Sequence, residues 1–467
     1  MLFSALLKCL SYSCLMLKRF PEKNVEAGLK KTKILFNHLR TILFILCLES
    51  YFQKMSEKNH IELMAPAGSF ESLMAAVQSG ANSVYFGIEQ LNMRATSSYN
   101  FTMEDLDKVA SICHENNMKA YMTLNTIVYD HDLKLVKKII DAANASGIDA
   151  IIASDQAVIH YARTVGLPVH ISTQLNVTNI ETVKFYSFFA DVMVLSRELS
   201  LGQMKTICDG IIEEQIKGPS GELIRIEVFA HGALCMAVSG KCYLSLHTQN
   251  SSANRGACLQ NCRRKYKVID IEDGHELEID NEFIMSPKDL STISFLDQLI
   301  DTGITVLKIE GRARAPEYVY KVVKAYREAI DSVQDGSFSL QKVEGWVSEL
   351  EKVYNRGFWG GYYLGKELGE WTNKQGSSAT EKKIYLGQGI HYFPKAGIAH
   401  FKIDSHTLEI GDKILITGPE TGVIESEITA LMVDDIQAET AVKGEECTFP
   451  LDRKIRKSDK LYKIVPA

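Results

Sequence analysis

The 467-residue sequence lacks the motifs that mark the common hydrolases and nucleotide-dependent enzymes. It has no G-x-S-x-G nucleophile elbow, no P-loop and no G-x-G-x-x-G turn. Two His-Glu pairs lack the second histidine of an H-E-x-x-H zinc motif, because Met118 and Ile279 stand at that position. The sequence therefore gives little support to serine hydrolysis, zinc hydrolysis of the H-E-x-x-H type or ATP-dependent chemistry.

The chain also lacks a basic excess and a long hydrophobic run. It has 52 Lys and Arg against 58 Asp and Glu, a formal net charge of -6, which excludes a surface coated in basic charge but not a local basic patch. The basic stretch DRKIRKSDKLYK, residues 452–463, fits either a solvated face or a contact with an RNA backbone. The apolar run TILFILCL is bounded by Arg40 and Glu49. It is well short of the roughly 18 residues that cross a bilayer, so we expect no membrane span.

The first 54 residues differ in texture from the rest of the chain. They contain apolar stretches broken by Lys8 and no signal-peptide cleavage pattern, whereas MSEKNHIELMAPAG from Met55 resembles an ordinary start before a first strand. We predict that residues 1–54 are a dispensable extension, with a membrane anchor as the alternative.

Cysteine is sparse except in one stretch. Cys235, Cys242, Cys258 and Cys262 fall within 28 residues, spaced C-x6-C-x15-C-x3-C. Disulfides and chance burial of free thiols are the plain alternatives, and structural zinc usually takes paired short knuckles. One irregular loop with four thiolates suits the larger [4Fe–4S] cluster better, so we predict a cluster, with zinc as the alternative. A thiolate-held cofactor and scattered free thiols indicate a reducing cytoplasm.

A strand-then-helix rhythm runs from residue 60 to residue 336. Eight short apolar strands start at Ile61, Ser83, Lys119, Ala150, Val169, Val192, Ile224 and Val306, and capped amphipathic helices separate them. The pattern predicts a (βα)8 TIM-like barrel over 55–336, with an open doubly wound sheet as the alternative. The cysteine loop, 231–285, follows the seventh strand. A helical and Gly/aromatic linker is predicted over 337–383 and a small all-β barrel of about six strands over 384–467.

Polar side chains recur where the predicted strands end, at the mouth of the barrel. Alternation puts Lys308, Glu310 and Arg312 on one face, and it puts His231 on the inner face of the seventh strand. Charges inside a barrel are costly unless they are paired or contact a ligand, so a structural ion network and an anion pocket both remain open. The candidate catalytic residues are His231, Glu310 and His170, and the candidate substrate-binding residues are Arg197, Lys308, Arg312, Gln174 and Asn125.

The segments ELMAPAGSFESLMAAVQSGANSVYFGI, EVFAHGALCMAVSGKC and LKIEGRARAPEYV resemble peptidase family U32, the collagenase-like peptidases, over roughly residues 60–465. The layout is most similar to the tRNA hydroxylation proteins of that family. The resemblance implies that Cys235, Cys242, Cys258 and Cys262 bind a [4Fe–4S] cluster and that tRNA is the partner. It also implies prephenate as co-substrate in forming 5-hydroxyuridine at the wobble position.

Two other functions stay open. The family name implies a peptidase, although the sequence has no recognisable nucleophile–base pair. The third is an RNA-binding protein in which the four cysteines hold structural zinc. Whether a protein partner takes part is open as well. For the favoured function, Arg197, Arg312 and Lys308 suit the two carboxylates of prephenate, because guanidinium groups pair bidentately with carboxylates.

Overall fold

The computed structural model describes residues 61–96, 100–267, 272, 283–365 and 369–467. The predicted extension 1–54 lies outside the described residues, as does most of the segment 268–282 within the cysteine loop. The strands of the first sheet are β1 (Glu62–Pro66), β2 (Ser83–Phe86), β3 (Lys119–Leu124), β4 (Ala150–Ala153), β5 (Val169–Ile171), β6 (Val192–Val194), β7 (Arg225–Gly232), β8 (Asp289–Ser291), β9 (Val306–Ile309) and β10 (Phe358–Trp359).

Strands β1 to β7 and β9 form a closed parallel barrel. Each of β1 to β7 pairs with its successor, except that β7 is followed in the ring by β9, and β9 pairs with β1 through Glu62↔Val306. All eight predicted strands are present, so the predicted TIM-like barrel is confirmed and the open sheet is excluded. The strands are buried on both faces, as expected for a parallel sheet covered by helices.

Ten helices of the described residues follow these strands along the chain, and one of them, Leu244–Gln249, lies in the cysteine loop. They are α1 (Phe70–Gln78), α2 (Leu106–Glu115), α3 (Leu133–Ala145), α4 (Gln156–Thr164), α5 (Ile180–Tyr186), α6 (Leu201–Glu213), α7 (Leu244–Gln249), α8 (Leu296–Asp301), α9 (Pro316–Gln334) and α10 (Leu340–Glu351). Side-chain oxygens of Ser69, Asp155 and Asn179 accept hydrogen bonds from the first turns of α1, α4 and α5. These caps satisfy backbone donors that have no partner within a helix, so they fix where the helices begin.

Two short strands outside the barrel extend the sheet beyond the predicted pattern. Strand β8 pairs antiparallel with the end of β7, through His231↔Ser291 and Gly232↔Leu290, and β10 pairs parallel with β8. With three and two residues they are too short for a periodic signal. A register shift between Phe229 and His231 also makes a β-bulge at the end of β7, where it pairs with β9.

The C-terminal region is all-β, as predicted, with ten antiparallel strands instead of about six. They are β11 (Glu381–Phe393), β12 (Ile398–Ile403), β13 (Thr407–Glu409), β14 (Lys413–Gly418), β15 (Gly422–Glu427), β16 (Met432–Val433), β17 (Ile436–Gln437), β18 (Thr440–Val442), β19 (Glu446–Pro450) and β20 (Lys460–Pro466). Eight form one sheet, and β13 pairs with β18. Several have only two or three residues, and the sequence pattern merges these with their neighbours.

This region packs directly against helix α1. Gln78 donates to the carbonyl of Thr421 at 2.7 Å and accepts from the amide of Val423 at 2.9 Å. Leu415 and Val423 belong to the same buried cluster as the apolar side chains of the barrel. Across the described part of the chain, no helix is long and apolar enough to cross a membrane.

Candidate active site at the mouth of the barrel

A cavity of about 600 Å³ opens at the carboxyl ends of the barrel strands. Ten of the twelve predicted site residues line it: Asn125, Gln174, Arg197, Lys308, Glu310, Arg312, Cys235, Cys242, Cys258 and Cys262. Arg94 and Arg263, which were outside the predicted set, line it as well. His170 and His231 are absent from the lining. The volume lies in the range of sites that enclose a small-molecule ligand.

Lys308 and Glu227 form a buried ion pair at the floor of the cavity. The Lys308 Nζ lies 2.8 Å from Oε1 of Glu227, and the two side chains are 6% and 0% exposed. Burial raises the pKa of Glu227, and Lys308 counteracts part of that rise. The ammonium also lies 4.4 Å from the centre of the Tyr85 ring, a cation–π contact that helps to replace lost water. Lys308 is therefore held rigidly with one side towards the cavity.

Glu310 is the carboxylate of the cavity wall. It accepts from Arg94 Nη2 at 2.7 Å and from the Tyr85 hydroxyl at 3.2 Å. Burial favours protonation, but Arg94 and then Arg312 outweigh it and lower the pKa of Glu310 to about 2. At neutral pH this group is ionised and a hydrogen-bond acceptor, so it is a candidate proton acceptor only towards a strongly acidic partner.

Arg312 is a buried guanidinium, and its described hydrogen bond goes to a neutral group. Its Nη1 donates to the Thr123 hydroxyl at 2.7 Å, and its side chain crosses the backbone of Gly87, where a Cβ would lie 2.4 Å from Nη1. Burial lowers the pKa of Arg312 to about 10 in spite of the nearby Glu310. A buried cation without a bonded carboxylate is suited to receive an anionic ligand.

Arg197 reaches the cavity from the loop after β6. It donates to the Ala233 carbonyl at 3.2 Å and to Ser239 Oγ at 3.1 Å, and its guanidinium lies 4.7 Å from the Phe229 ring centre. Both hydrogen-bond acceptors belong to the cysteine loop. Arg197 therefore links the barrel strand to that loop as well as adding positive charge to the cavity.

Asn125 and Gln174 form part of a neutral polar wall. Asn125 donates to the Ser172 hydroxyl at 3.3 Å and accepts from the Met93 amide at 3.3 Å, and Ser172 in turn donates to Gln174. Gly240 of the cysteine loop lies against Gln174, where a Cβ would approach within 2.8 Å at a φ of +72°. Only glycine gives that close approach and that backbone conformation together.

His170 lies inside the barrel, below the cavity. Its ring centre is 4.5 Å from that of Tyr121, whose hydroxyl donates to Glu62 at 2.8 Å. Arg225 also pairs with Glu62, at 2.7 Å. Burial lowers the pKa of His170 to about 3, so the ring is neutral at physiological pH. The structure thus assigns His170 to the barrel interior and not to the cavity wall.

The inward orientation predicted for His231 is wrong. The bulge after Phe229 interrupts the alternation, and the ring packs against Tyr326, Phe358 and Tyr318, with centre distances of 5.5, 5.4 and 6.1 Å. Burial lowers the pKa of His231 to about 3. A one-residue register change turns every later side chain to the opposite face, which the sequence pattern could not reveal.

Two arginines within the cysteine loop anchor it to the barrel. Arg255 pairs with Asp132 at 2.8 Å and donates to the Ile127 carbonyl at 3.0 Å. Arg263 donates to the carbonyls of Leu234 and Pro287, each at 2.6 Å. These bonds tie the loop to the ends of β3 and β7 and hold it over the cavity.

The four cysteines of this loop are free thiols that all line the same cavity. Burial raises the pKa of Cys262, the other three thiols raise it further, and Arg263 opposes them. Among the described residues no group of three or more His, Cys, Asp or Glu is arranged to hold a single metal ion. As a donor set, four thiols around one cavity fit an iron–sulfur cluster, which spans more space than one ion.

The lining carries many more cations than anions. The Lys and Arg of the wall are Arg94, Arg197, Lys241, Arg263, Lys308, Arg312, Arg314 and Arg356. The wall has one carboxylate, Glu310, against these eight cations. Glu227 and Asp289, which pair with Lys308 and Arg356, are not part of the lining. Sequence reasoning missed Arg94, Arg263, Arg314 and Arg356, because they lie on loops where no periodicity marks an inward direction. The cavity is therefore strongly electropositive.

The sequence model of peptidase family U32 matches residues 68–373, which span β2 to β10 and every residue of the cavity wall. The chain belongs to this family. The predicted resemblance is thereby confirmed.

Three relatives carry two kinds of name. A protein of Porphyromonas gingivalis named "Collagenase" is 56% identical over 87% of this chain and 98% of its own length. The "tRNA hydroxylation protein P1" of Bacillus subtilis is 30% identical over 86% of this chain and 94% of its own length. The "23S rRNA 5-hydroxycytidine C2501 synthase" of Escherichia coli is 31% identical over 65% of this chain and 45% of its own length. Family membership and these relatives support an enzyme.

Proposed function

We propose that this U32-family protein hydroxylates RNA without molecular oxygen, converting the wobble uridine of tRNA to 5-hydroxyuridine with prephenate as co-substrate. The observation that carries the proposal is the electropositive cavity with four thiols on its wall. The names of the Bacillus subtilis and Escherichia coli relatives support RNA hydroxylation as the reaction class.

The cations of the cavity suit a ligand with two carboxylates. Arg312 is buried beside Thr123, with no carboxylate of the described residues bonded to it, and Arg197 also lines the cavity. Two guanidinium groups can each take a carboxylate bidentately, while the ammonium of Lys308 remains committed to Glu227. We therefore assign prephenate binding mainly to Arg312 and Arg197.

The four cysteines would hold a [4Fe–4S] cluster, with zinc as the alternative occupant. When bound, such a cluster supplies a Lewis-acidic or electron-transferring centre at the mouth of the cavity. The chain's own residues bind the anions, exclude water and orient the base. Neutral His170 and His231 are buried away from the wall, so Glu310 is the candidate among the three predicted catalytic residues that faces the cavity.

The competing function is proteolysis, which the name of the 56% identical relative favours. Peptide hydrolysis requires an activated nucleophile or a metal-bound water. In the described cavity wall, His247 is the histidine and Glu310 the carboxylate, and Glu310 is already bonded to Arg94. This arrangement supports anion binding better than general-base hydrolysis.

Nucleoside mass spectrometry of total tRNA and rRNA from a deletion strain tests the proposal. We expect 5-hydroxyuridine-type nucleosides to disappear from tRNA and to return with the wild-type gene. Arg312→Ala should not restore them, whereas Arg163→Ala, on the outer helix α4, should. Unchanged nucleosides in the deletion strain, with collagen or gelatin cleavage by the purified protein, would establish the peptidase instead.

Anaerobic purification tests the cofactor. Replacement of Cys258 by Ser should remove bound iron and its visible absorption, because thiolate ligands are lost. Cys208→Ala is the matched control, since that thiol is buried on α6 and is outside the cavity lining. A stoichiometric zinc content without iron would contradict the cluster.

A further inference from the structure

The outer edge of the cavity exposes apolar and aromatic side chains. Tyr243 is 68% exposed, and Met236 and Val238 are 49% and 48% exposed. All three line the opening, and all three lie on the cysteine loop. We call these three residues the rim. Exposed apolar side chains grouped at the opening of a site are typical of a binding surface.

The part of the cysteine loop that carries the rim, residues 231–267, has no acidic residue. From His231 to Lys267 the sequence has six Lys and Arg and no Asp or Glu, in a chain whose net charge is -6. Lys241 and Arg264 of this segment are exposed. A segment whose charged side chains are all basic attracts a polyanion even when the protein as a whole is acidic.

The size of the cavity determines what lies on the rim. A volume of about 600 Å³ encloses one ligand of moderate size, so the neighbours of a reacting residue in a polymer have to lie outside, across the opening. The flat ring of Tyr243 is two-thirds exposed, so it offers a face for stacking. Lys241 and Cys242, which directly precede it in the sequence, both line the cavity.

We propose that the rim is a single-stranded RNA platform, on which a base next to the reacting nucleotide stacks against the Tyr243 ring while the basic side chains of the cysteine loop contact its phosphates. This inference rests on the proposed function. Base–aromatic stacking tolerates any sequence but requires unpaired bases. A collagen-like peptide carries no phosphate, so the absence of acidic residues from residues 231–267 would bring it no advantage.

Binding of the intact, anaerobically purified protein to a labelled single-stranded oligoribonucleotide containing uridine tests the platform. Tyr243→Ala should weaken binding about 5- to 150-fold, the range for losing one base–aromatic stack, and Tyr243→Phe should retain it. Lys241→Ala should reduce the slope of log affinity against log salt by about 0.7, the value for one phosphate contact on a single strand. Phe188→Ala is the control, because Phe188 is 77% exposed between α5 and β6, at the opposite end of the barrel.

The thermal midpoints and visible spectra of the wild type, Tyr243→Ala and Tyr243→Leu are compared first. Equal values would show that the substitutions leave the fold and the cofactor content unchanged. Tyr243→Leu keeps apolar bulk without a ring, and it should bind as weakly as Tyr243→Ala. The platform is refuted if Tyr243→Ala binds single strands like the wild type, if a duplex of the same sequence binds equally well, or if the wild type binds a collagen-like peptide in place of RNA. The nucleoside content of the deletion strain is a separate readout, so the platform can fail while RNA hydroxylation stands.

Discussion

Breaking the buried pair between Lys308 and Glu227 should destabilise the barrel strongly, whichever partner is removed. At 2.8 Å and an effective dielectric constant near 20, two unit charges attract by about 6 kcal/mol. Loss of solvation offsets part of this, so we expect Lys308→Met or Glu227→Leu alone to cost ~3–5 kcal/mol. The double variant removes both charges of the pair and leaves neither unpaired, so it should lie within about 2 kcal/mol of the wild type.

The two single variants should respond oppositely to pH. In Lys308→Met the pKa of Glu227, already raised by burial, rises further above its value in the unfolded chain. The penalty is then smallest below the unfolded pKa and grows as the pH rises above it, by up to ~1.4 kcal/mol per pH unit. In Glu227→Leu the buried ammonium is the unpaired charge, so the penalty shrinks as the pH rises towards the unfolded pKa of lysine.

Urea unfolding of the full chain, followed by circular dichroism and tryptophan fluorescence, measures these free energies relative to the wild type at each pH. Coincident transitions from the two probes are required before the midpoints are converted. Additive single-variant penalties, or parallel pH dependences for the two variants, would refute the reasoning. Such a result would mean that water reaches the pair and that the floor of the cavity is not dry.

Other perturbations test the remaining contacts. The pKa values of Glu62 and Glu310 are lowered from 4.5 to about 2. Each carboxylate should therefore add ~3 kcal/mol to the free energy of unfolding above pH 4.5, and this stabilisation is lost as the pH falls towards 2. Glu62→Gln should flatten the dependence of stability on pH in acid, and an unchanged dependence would contradict the pairing of Glu62. Gly87→Ala should displace Arg312, costing ~1–3 kcal/mol and weakening dicarboxylate binding measured by calorimetry, since its Cβ would meet Nη1 at 2.4 Å. Gly345→Ala, in exposed helix with open space around it, should instead stabilise the chain by about 1 kcal/mol, and equal effects at the two glycines would argue against the close approach. Arg312→Ala should raise the co-substrate KM about 10- to 150-fold, as expected for one lost charge-assisted interaction, whereas an unchanged KM would remove Arg312 from the binding site.

The barrel was predictable because its strands are continuous apolar runs. Helices follow most of these strands along the chain, so local pattern and global fold agree. Strand β9, which contains Lys308, shows the limit of prediction from the sequence pattern. Alternation placed Lys308 inside the barrel, and the structure agrees, but its partner Glu227 is distant in sequence and could not be paired with it from the pattern alone.

The candidate site was predictable only where strand register continues undisturbed. Up to Phe229 the alternation of β7 holds, and at the bulge it fails for His231. Arg94 was missed because it belongs to a loop that reaches the wall through its bond with Glu310. Gly87 was missed as well, since nothing local distinguishes a glycine in a strand exit from one that makes room for a buried guanidinium.

The contact between α1 and the C-terminal sheet has a consequence for how such a chain can be rearranged. Leu415 and Val423 complete the core of the barrel, and Gln78 forms two hydrogen bonds with the strand region around Thr421. Helix α1 is therefore covered by the barrel on one side and by the C-terminal sheet on the other. A recombination that exchanges the C-terminal sheet must therefore bring matching changes on α1. These two segments, more than 300 residues apart in the sequence, have to change together.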